Sequence, residues 1–237
     1  MRRLLTLLVA AAVLVLLAAT PKSILDSYRL AIASRKIPAN MEFDYTVTKS
    51  GPARIVTEQH RVYWTSSGEE RNDAISVNGT PVIPARSQML HRTVWPYDAG
   101  QFAVTAEDYD ATPAGMAIIA GRRTYAFALA RNVPADFMLK SLYVDAKTKM
   151  PLRETFAVAG QDCEGSGSID FTAFGAYWLP SFVSVVCTQT GSGASPPPVF
   201  KESIRFSGFQ FPSAIPSDIF SAGASTTSSG DSVTGGP

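Results

Sequence analysis

The sequence predicts a mainly β protein built around a meandering antiparallel sheet with one apolar face. Three neighbouring runs carry this prediction. In the first run, Tyr125, Phe127 and Leu129 alternate with alanines, and the second and third runs cover residues 137–144 and 152–156. Large apolar residues at every second position, bounded by turn-forming residues, are typical of strands joined by hairpins.

Composition narrows the class of protein. The chain has 237 residues, of which 46% are hydrophobic and 17% charged, so it can bury a core as one large all-β domain or one domain with tails. The formal net charge is only +1. Proteins bind a phosphate backbone through an excess of basic residues. We therefore do not expect this protein to bind nucleic acid.

The N-terminus has the pattern of an export signal. Arg2 and Arg3 precede a run over residues 4–19 that is apolar at every position except Thr6. This run is short for a membrane-spanning helix and suits a secretory signal peptide. We expect residues 1–19 to be a signal peptide, with an uncleaved anchor as the alternative. The protein is therefore expected in the periplasm or another extracytoplasmic space.

An amphipathic helix is predicted directly after the signal, over residues 21–34. Thr20 is a good N-cap, and Pro21 suits the first helical position. Ile24, Tyr28 and Ile32 then recur at helical spacing on one side. We expect this apolar stripe to lie on the sheet.

Strands follow the helix. Phe43, Tyr45 and Val47 alternate with polar residues and predict the first of them. Further along, Asn78-Gly79 predicts a two-residue hairpin turn, because both residues tolerate positive φ. The expected return strand covers residues 80–83.

The remaining segments are less regular. A short helix is predicted over residues 84–92, and residues 93–112 are expected to form a long irregular loop of the kind that often carries function. Residues 221–237 are mostly Ser, Gly and Thr and are expected to be disordered. The predicted organisation is therefore a single domain over residues 20–220, with this tail after it.

The two cysteines are expected to form a disulfide. If a hairpin is centred on Gly175, Cys163 and Cys187 lie opposite one another, each twelve residues away. The same register places Ile169 and Val183 on one face, which supports it independently. Export permits the bridge, and its role would be structural. Two free thiols are the alternative.

No motif for catalysis or for a cofactor is found. His60 and His91 are isolated, so structural histidines are favoured over a zinc site. Glu107, Asp108 and Asp110 form an acidic cluster that lacks the EF-hand spacing; a solvated loop is favoured over a calcium site. There is no nucleophile elbow and no P-loop. We expect a protein that is not an enzyme and binds no metal or cofactor, with a hydrolase of scattered catalytic residues as a weaker alternative.

The abundant aromatic and aliphatic residues allow two interpretations. They can be ordinary core, or they can line a hydrophobic cavity between a curved sheet and the helix, because one large sheet with few helices closes a core incompletely. In the second case, Phe127→Ala should change ligand binding more than stability. The candidate ligand-binding residues are Ile24, Tyr28, Phe43, Tyr45, Val47, Tyr125, Phe127, Leu129, Phe156 and Phe171.

Three segments indicate a family. They are A-G-R-R-T-Y-A-F-A-L at residues 120–129, L-Y-V-D-A-K-T-K-M-P-L-R at residues 142–153 and P-S-D-I-F at residues 216–220. With the early helix and the strand meander, they resemble the LolA/LolB-like periplasmic lipoprotein-carrier superfamily. They also resemble the N-terminal domain of RseB/MucB-type regulators. The resemblance covers residues 24–220.

The resemblance implies both a fold and a function. The fold is an unclosed β-barrel, in which a strongly curved antiparallel sheet is covered by helices and encloses a cavity for acyl chains. The implied function is an extracytoplasmic carrier or chaperone for lipids or lipoproteins, acting as a monomer. The alternative is an envelope-stress sensing or regulatory module that binds a membrane-anchored protein partner.

Overall fold

A computed structural model describes residues 20–160, 163–191 and 196–221. The predicted signal segment and the predicted tail from residue 222 onward lie outside the described residues. The helices are α1 (Pro21–Ala33) and α2 (Ser217–Ser221), with a short 3-10 helix at Ala99–Phe102. The strands are β1 (Asn40–Ser50), β2 (Ile55–Thr65), β3 (Glu69–Val77), β4 (Thr80–His91), β5 (Tyr109–Ile119), β6 (Arg122–Arg131), β7 (Phe137–Asp145), β8 (Pro151–Ala159), β9 (Cys163–Phe174), β10 (Tyr177–Gln189) and β11 (Val199–Gln210).

All these strands belong to one antiparallel sheet in the order β4-β3-β2-β1-β11-β10-β9-β8-β7-β6-β5. Pairing of β1 with β11 joins the first four strands to the remaining seven. Strands β4 and β5 lie at the two edges, so the sheet is not closed into a barrel. The predicted fold class, a mainly β protein with an open antiparallel sheet and an N-terminal helix, is confirmed.

The strand register brings one row of side chains onto the same face. Each member is paired directly with the next, so their side chains share a side of the sheet. The helix α1 buries Ile24, Tyr28 and Ile32 in the same core. We call this side the concave face. The row consists of Phe127, Leu142, Glu154, Ile169, Val183, Ile204 and Val47.

The helix α1 begins and ends close to where the sequence predicts. The Thr20 side chain accepts a hydrogen bond from the Ser23 backbone N–H at 3.3 Å, and Pro21 occupies the first turn. The helix ends at Ala33, with Ser34 as its C-cap. Local capping chemistry is therefore sufficient to position this element.

The connection from β4 to β5 must cross the concave face, because these strands lie at opposite edges of the sheet. We call residues 92–108 the crossing segment. The prediction of a long irregular loop is only partly right, because the segment contains the 3-10 helix and buries Trp95, Phe102 and Val104 in the core. Apolar burial, which stabilises by about 25 cal/mol per Å², holds the segment against the sheet.

Polar contacts tie the crossing segment to helix α1. The backbone N–H of Val104 donates to the Tyr28 hydroxyl at 3.1 Å. The Arg35 guanidinium forms a two-pronged ion pair with Asp98, in which Nε donates to Oδ1 at 2.9 Å. A Cβ at Gly100 would collide with the end of the Arg35 side chain, so a larger residue there would have to shift the guanidinium. Helix and crossing segment therefore cover the sheet as one unit.

The helix predicted over residues 84–92 is wrong, because β4 continues as a strand to His91. After an irregularity, pairing with β3 resumes at Arg86 opposite Ala74. Pro84 lies inside that irregularity, where its missing N–H leaves no ladder bond unmade. Residues 86–91 form hydrogen bonds with the edge of β3 and therefore adopt a strand, and the local sequence pattern does not reveal this pairing.

The disulfide between Cys163 and Cys187 is present, with a Cα–Cα distance of 5.6 Å. The predicted register is off by two residues, because Cys187 pairs with Gly165 instead of Cys163. Two features cause the shift: a two-residue turn after Phe174, and an irregularity between Pro180 and Phe182. The bridge therefore runs diagonally between β9 and β10.

Removal of this bridge should weaken the fold. The bridge spans 24 residues of sequence, and closing a loop of this size stabilises by about 2–4 kcal/mol. We expect Cys163→Ser with Cys187→Ser to lower the free energy of unfolding in urea by that amount, and reduction of the wild type to do the same. Alkylation of denatured, unreduced protein should label neither cysteine; labelling of both would show that no bridge forms.

Candidate ligand cavity

A cavity of about 250 Å³ opens on the concave face, between β1, β2, β3, β4, β11 and the crossing segment. At about 30 Å³ for each water-sized group, it has room for roughly eight of them. Its walls combine aromatic, aliphatic and polar side chains. They are Phe43, Tyr45, Val47, Lys49, Val62, Glu70, Asn72, Gln88, Leu90, Arg92, Trp95, Pro96, Tyr97, Glu202, Ile204 and Phe206.

The apolar wall is formed by β1 and β11. Val47 pairs with Ile204, and Tyr45 with Phe206, so the alternation of both strands places these side chains on the same face. Trp95 closes the wall from the crossing segment, and its ring lies 5.9 Å from that of Phe206. This arrangement gives a continuous apolar surface.

The opposite side of the cavity is polar and comes from β3 and β4. Asn72 faces Gln88 across the pair of strands. The Asn72 amide nitrogen donates to the Tyr45 hydroxyl at 2.7 Å, while its oxygen lies 2.9 Å from Nδ1 of His60. The His60 ring stacks on Tyr45 at 4.5 Å. This isolated histidine therefore orients its neighbours, and no cluster of His, Cys, Asp and Glu suited to a metal occurs in the described part of the chain.

Glu70 is the unusual group in this cavity. It is 5% exposed, and its Oε2 atom is buried without a hydrogen-bond partner among the described residues. The guanidinium of Arg92 lies nearby, with Nε 3.9 Å from that oxygen. Burial raises the pKa of Glu70, and the positive charge of Arg92 offsets part of the rise. The cavity is therefore lined by a carboxyl group with one oxygen that accepts no hydrogen bond among the described residues.

The tyrosines in the cavity retain their protons. Burial raises the pKa of Tyr97 to about 12 and also raises the pKa of Tyr45. Both hydroxyls can consequently act as hydrogen-bond donors at neutral pH. At the rim, Lys49 and Glu202 are direct partners in the β1–β11 register, so charges of both signs face solvent together.

Three of the ten predicted ligand-binding residues line this cavity: Phe43, Tyr45 and Val47. The structure brings the other seven together elsewhere, in and around the core where helix α1 and the crossing segment fill the concavity. All but Tyr125, which is half-buried, are buried there. These seven are Ile24, Tyr28, Tyr125, Phe127, Leu129, Phe156 and Phe171.

Sequence reasoning missed the polar residues of the cavity. Gln88 and Arg92 fall in the segment wrongly predicted as a helix, and Glu70 is an unremarked carboxyl within a strand. The signal that could have indicated the site is the aromatic content of the irregular segment, where Trp95 and Tyr97 lie two residues apart. The strand pairing that brings these groups together is not a local property.

A second buried carboxyl, Glu154, lies at the centre of the concave face. It is 0% exposed, and neither carboxyl oxygen has a hydrogen-bond partner within the described residues. Burial raises the pKa of Glu154 well above its usual value, and the Tyr28 hydroxyl on helix α1 offsets only part of this. Burial therefore favours the neutral form of Glu154, which does not line the cavity described above.

A further depression, of about 300 Å³, lies where helix α1 ends near the β9–β10 turn. It is more open to solvent, and Met150, Tyr177 and Trp178 supply its large apolar side chains. The basic side chains of Arg35 and Lys36 border it. It lacks the continuous apolar wall of the first cavity and is a poorer candidate for binding an amphiphile.

Comparisons with known proteins give structural matches only. No protein-family model matches the sequence, and no curated protein sequence matches it significantly. A LolA superfamily protein from Nitrosomonas europaea matches over 86% of this chain and 98% of its own, with 13% identity and a TM-score of 0.40. A putative outer membrane lipoprotein-sorting protein domain from Vibrio parahaemolyticus matches over 83% and 95%, with 11% identity and a TM-score of 0.46. A chain of the Pseudomonas aeruginosa MucA/MucB complex matches over 81% and 99%, with 14% identity and a TM-score of 0.27.

The matched proteins include a LolA superfamily protein and a MucA/MucB complex, the two groups named in the sequence analysis. At such low identities and TM-scores, no binding residue transfers from those proteins to this chain. The disulfide is typical of an oxidising compartment. Within residues 20–160, 163–191 and 196–221, no helix is long and apolar enough to cross a membrane.

Proposed function

We propose that this protein is an extracytoplasmic, non-enzymatic carrier or chaperone that holds an acyl chain of a lipid or lipoprotein in the cavity. The observation that carries the proposal is the cavity itself, with a continuous apolar wall on β1 and β11 and polar groups on one side. Removing an acyl chain from water is favourable by about 0.8 kcal/mol per buried methylene. The disulfide and the predicted signal peptide support an oxidising location outside the cytoplasm.

The crossing segment governs how much of a chain can enter. Trp95 and Tyr97 form part of the cavity wall, while Phe102 and Val104 occupy the core further along the segment. Room for roughly eight water-sized groups is less than a long acyl chain needs. A long chain therefore either projects through the cavity mouth or displaces the crossing segment from the sheet.

Lipid extraction tests the proposal most directly. Protein exported to an oxidising compartment should be purified without detergent, extracted with organic solvent and analysed by mass spectrometry. We expect co-purified acyl lipids in stoichiometric amounts. A lipid-free protein that binds tightly to a membrane-anchored protein would instead support the regulatory alternative.

Blocking the cavity should abolish binding of an acyl probe. Val47 lies in the apolar wall opposite Ile204. We expect Val47→Trp to weaken binding of dansylaminoundecanoic acid by at least about tenfold, equivalent to about 1.4 kcal/mol, because the indole fills the cavity. Dansyl emission excited directly, which does not depend on the number of tryptophans, provides the measurement.

The matched control for the blocking variant is Val186→Trp on β10. Val186 is 42% exposed, so the same substitution there should leave probe binding unchanged. Unfolding midpoints of both variants verify that each is folded. Equal binding by Val47→Trp and wild type would exclude this cavity as the site of acyl binding.

A further inference from the structure

The carboxyl of Glu70, whose Oε2 atom accepts no hydrogen bond among the described residues, points to the chemistry of the ligand's head group. We infer that the cavity selects amphiphiles with a neutral, hydroxyl-bearing head group, such as a glyceryl or glycosyl group, which Glu70 and Arg92 bind together. This inference rests on the proposed function, because it assigns the head group of the same acyl ligand. It is carried by the geometry of Glu70 and by the balance of charges around it.

The geometry leaves one carboxyl oxygen of Glu70 without a hydrogen bond. Oε2 of Glu70 is buried without a hydrogen-bond partner in the described residues. Arg92 Nε lies 3.9 Å from it, beyond the usual length of a charge-assisted hydrogen bond of about 2.7–2.9 Å. A ligand hydroxyl group that contacts both side chains would donate a hydrogen bond to Oε2 of Glu70 and accept one from the guanidinium of Arg92. A buried carboxyl oxygen without a hydrogen bond is unfavourable in free energy. A ligand that supplies the missing hydrogen bond is therefore bound more tightly.

The balance of charges disfavours charged head groups of either sign. The charged side chains that line the cavity form two opposite pairs: Glu70 with Arg92, and Lys49 with Glu202. A carboxylate or phosphate head group drawn to Arg92 also meets the carboxyl of Glu70. An ammonium head group drawn to Glu70 and the aromatic rings meets the guanidinium of Arg92. A neutral hydroxyl encounters neither repulsion.

Further hydroxyl groups of the ligand also find partners. The Tyr45 hydroxyl already accepts a hydrogen bond from Asn72 at 2.7 Å, so its own hydrogen is directed to another acceptor. The protonated Tyr97 hydroxyl lines the same cavity. A head group with several hydroxyls therefore lies on the β3–β4 side, while its chain follows the apolar wall of β1 and β11.

The test compares three ligands that share one chain and differ in head group. Monodecanoylglycerol, decanoic acid and decylammonium should each displace dansylaminoundecanoic acid from the wild-type protein. We expect monodecanoylglycerol to bind about tenfold more tightly than the other two, as one charge-assisted hydrogen bond allows.

Two substitutions should exchange the preference in opposite directions. Glu70→Gln removes the negative charge and should make decanoic acid the tightest ligand. Arg92→Gln removes the positive charge and should favour decylammonium. A purely structural role for either residue would lower all three affinities together. The control is Glu69→Gln, an exposed neighbour on β3, which should leave the order of affinities unchanged.

The outcomes separate this inference from the proposed function. Equal affinities for all three ligands, or the tightest binding of decanoic acid by wild type, would overturn the head-group inference and leave acyl binding intact. Absence of binding by all three, and by the dansyl probe, would overturn both. If Glu70→Gln does not fold, the shift expected for Arg92→Gln still decides the matter.

Discussion

Replacing Phe127 by alanine should lower the free energy of unfolding by about 3–5 kcal/mol. Phe127 is only 1% exposed and belongs to the main core cluster. It pairs with Leu142 on β7 and begins the row of side chains across the concave face. Since helix α1 and the crossing segment fill this half of the concavity, the ring has close contacts to lose. Its removal leaves a void that the neighbours fill only in part.

The same substitution at Phe200 is the matched control. Phe200 lies on β11 and is 41% exposed, so its truncation should cost less than about 1 kcal/mol. Urea unfolding measures both variants. After correction for the folded fraction, Phe127→Ala should bind the dansyl probe with wild-type affinity, because Phe127 does not line the cavity. A small loss of stability with strongly altered binding would show that an acyl chain enters the half of the concavity beneath helix α1.

Replacing Glu154 by glutamine should stabilise the protein at neutral pH. Burial raises the pKa of Glu154 well above its usual value, so the folded protein keeps a proton that the unfolded chain releases above about pH 4.3. Below that pH, Glu154 contributes its full amount to the free energy of unfolding. As the pH rises further, this contribution decreases by up to about 1.4 kcal/mol per pH unit, until the pH reaches the pKa of Glu154 in the folded protein. The amide of glutamine carries no such proton and avoids the loss.

Urea unfolding of both proteins from pH 4 to pH 8, spanning the unfolded pKa of about 4.3, should show two curves that diverge as pH rises. We expect the Glu154→Gln variant to be the more stable protein at neutral pH, with a difference that grows as pH rises. Glu70 has a raised pKa and contributes in the same direction in both proteins, so the difference between the curves isolates Glu154. The control is Glu164→Gln, at an exposed position on the adjacent strand β9. Parallel curves would show that Glu154 is charged in the folded state.

Asp145 shows why burial alone does not set the pKa of a carboxyl in this fold. Burial raises its pKa, but hydrogen bonds from Thr148 and Lys147 and the charge of Arg122 outweigh that effect and lower it. These partners lie in and beside the turn between β7 and β8. Glu154, in the middle of β8, has apolar row partners in Leu142 and Ile169 and no comparable donors. The difference follows from position: a turn offers free backbone N–H groups, whereas a paired strand does not.

The sequence by itself determined the elements whose signals are local. Thr20 and Pro21 specify the start of helix α1, and period-two placement of apolar residues specifies β1, β6 and β7. Asn78-Gly79 predicts a hairpin that the structure contains, with positive φ at both residues. Counting outward from a turn predicted the disulfide between Cys163 and Cys187, although the register it assumed was off by two residues. Each of these signals acts over a few residues, or through one hairpin, and needs no knowledge of distant contacts.

Only the tertiary structure decided which faces meet and what fills the space between them. Pairing of β1 with β11 joins opposite ends of the chain, and no local pattern encodes it. The edge of β3 converted a predicted helix into β4, and the crossing segment occupied much of a concavity that the sequence left open. Phe43 and Phe127 have the same local pattern and both belong to the core, yet of the two only Phe43 also lines the cavity. Burial depends on long-range contacts, and these form only when distant strands pair and the crossing segment packs against them.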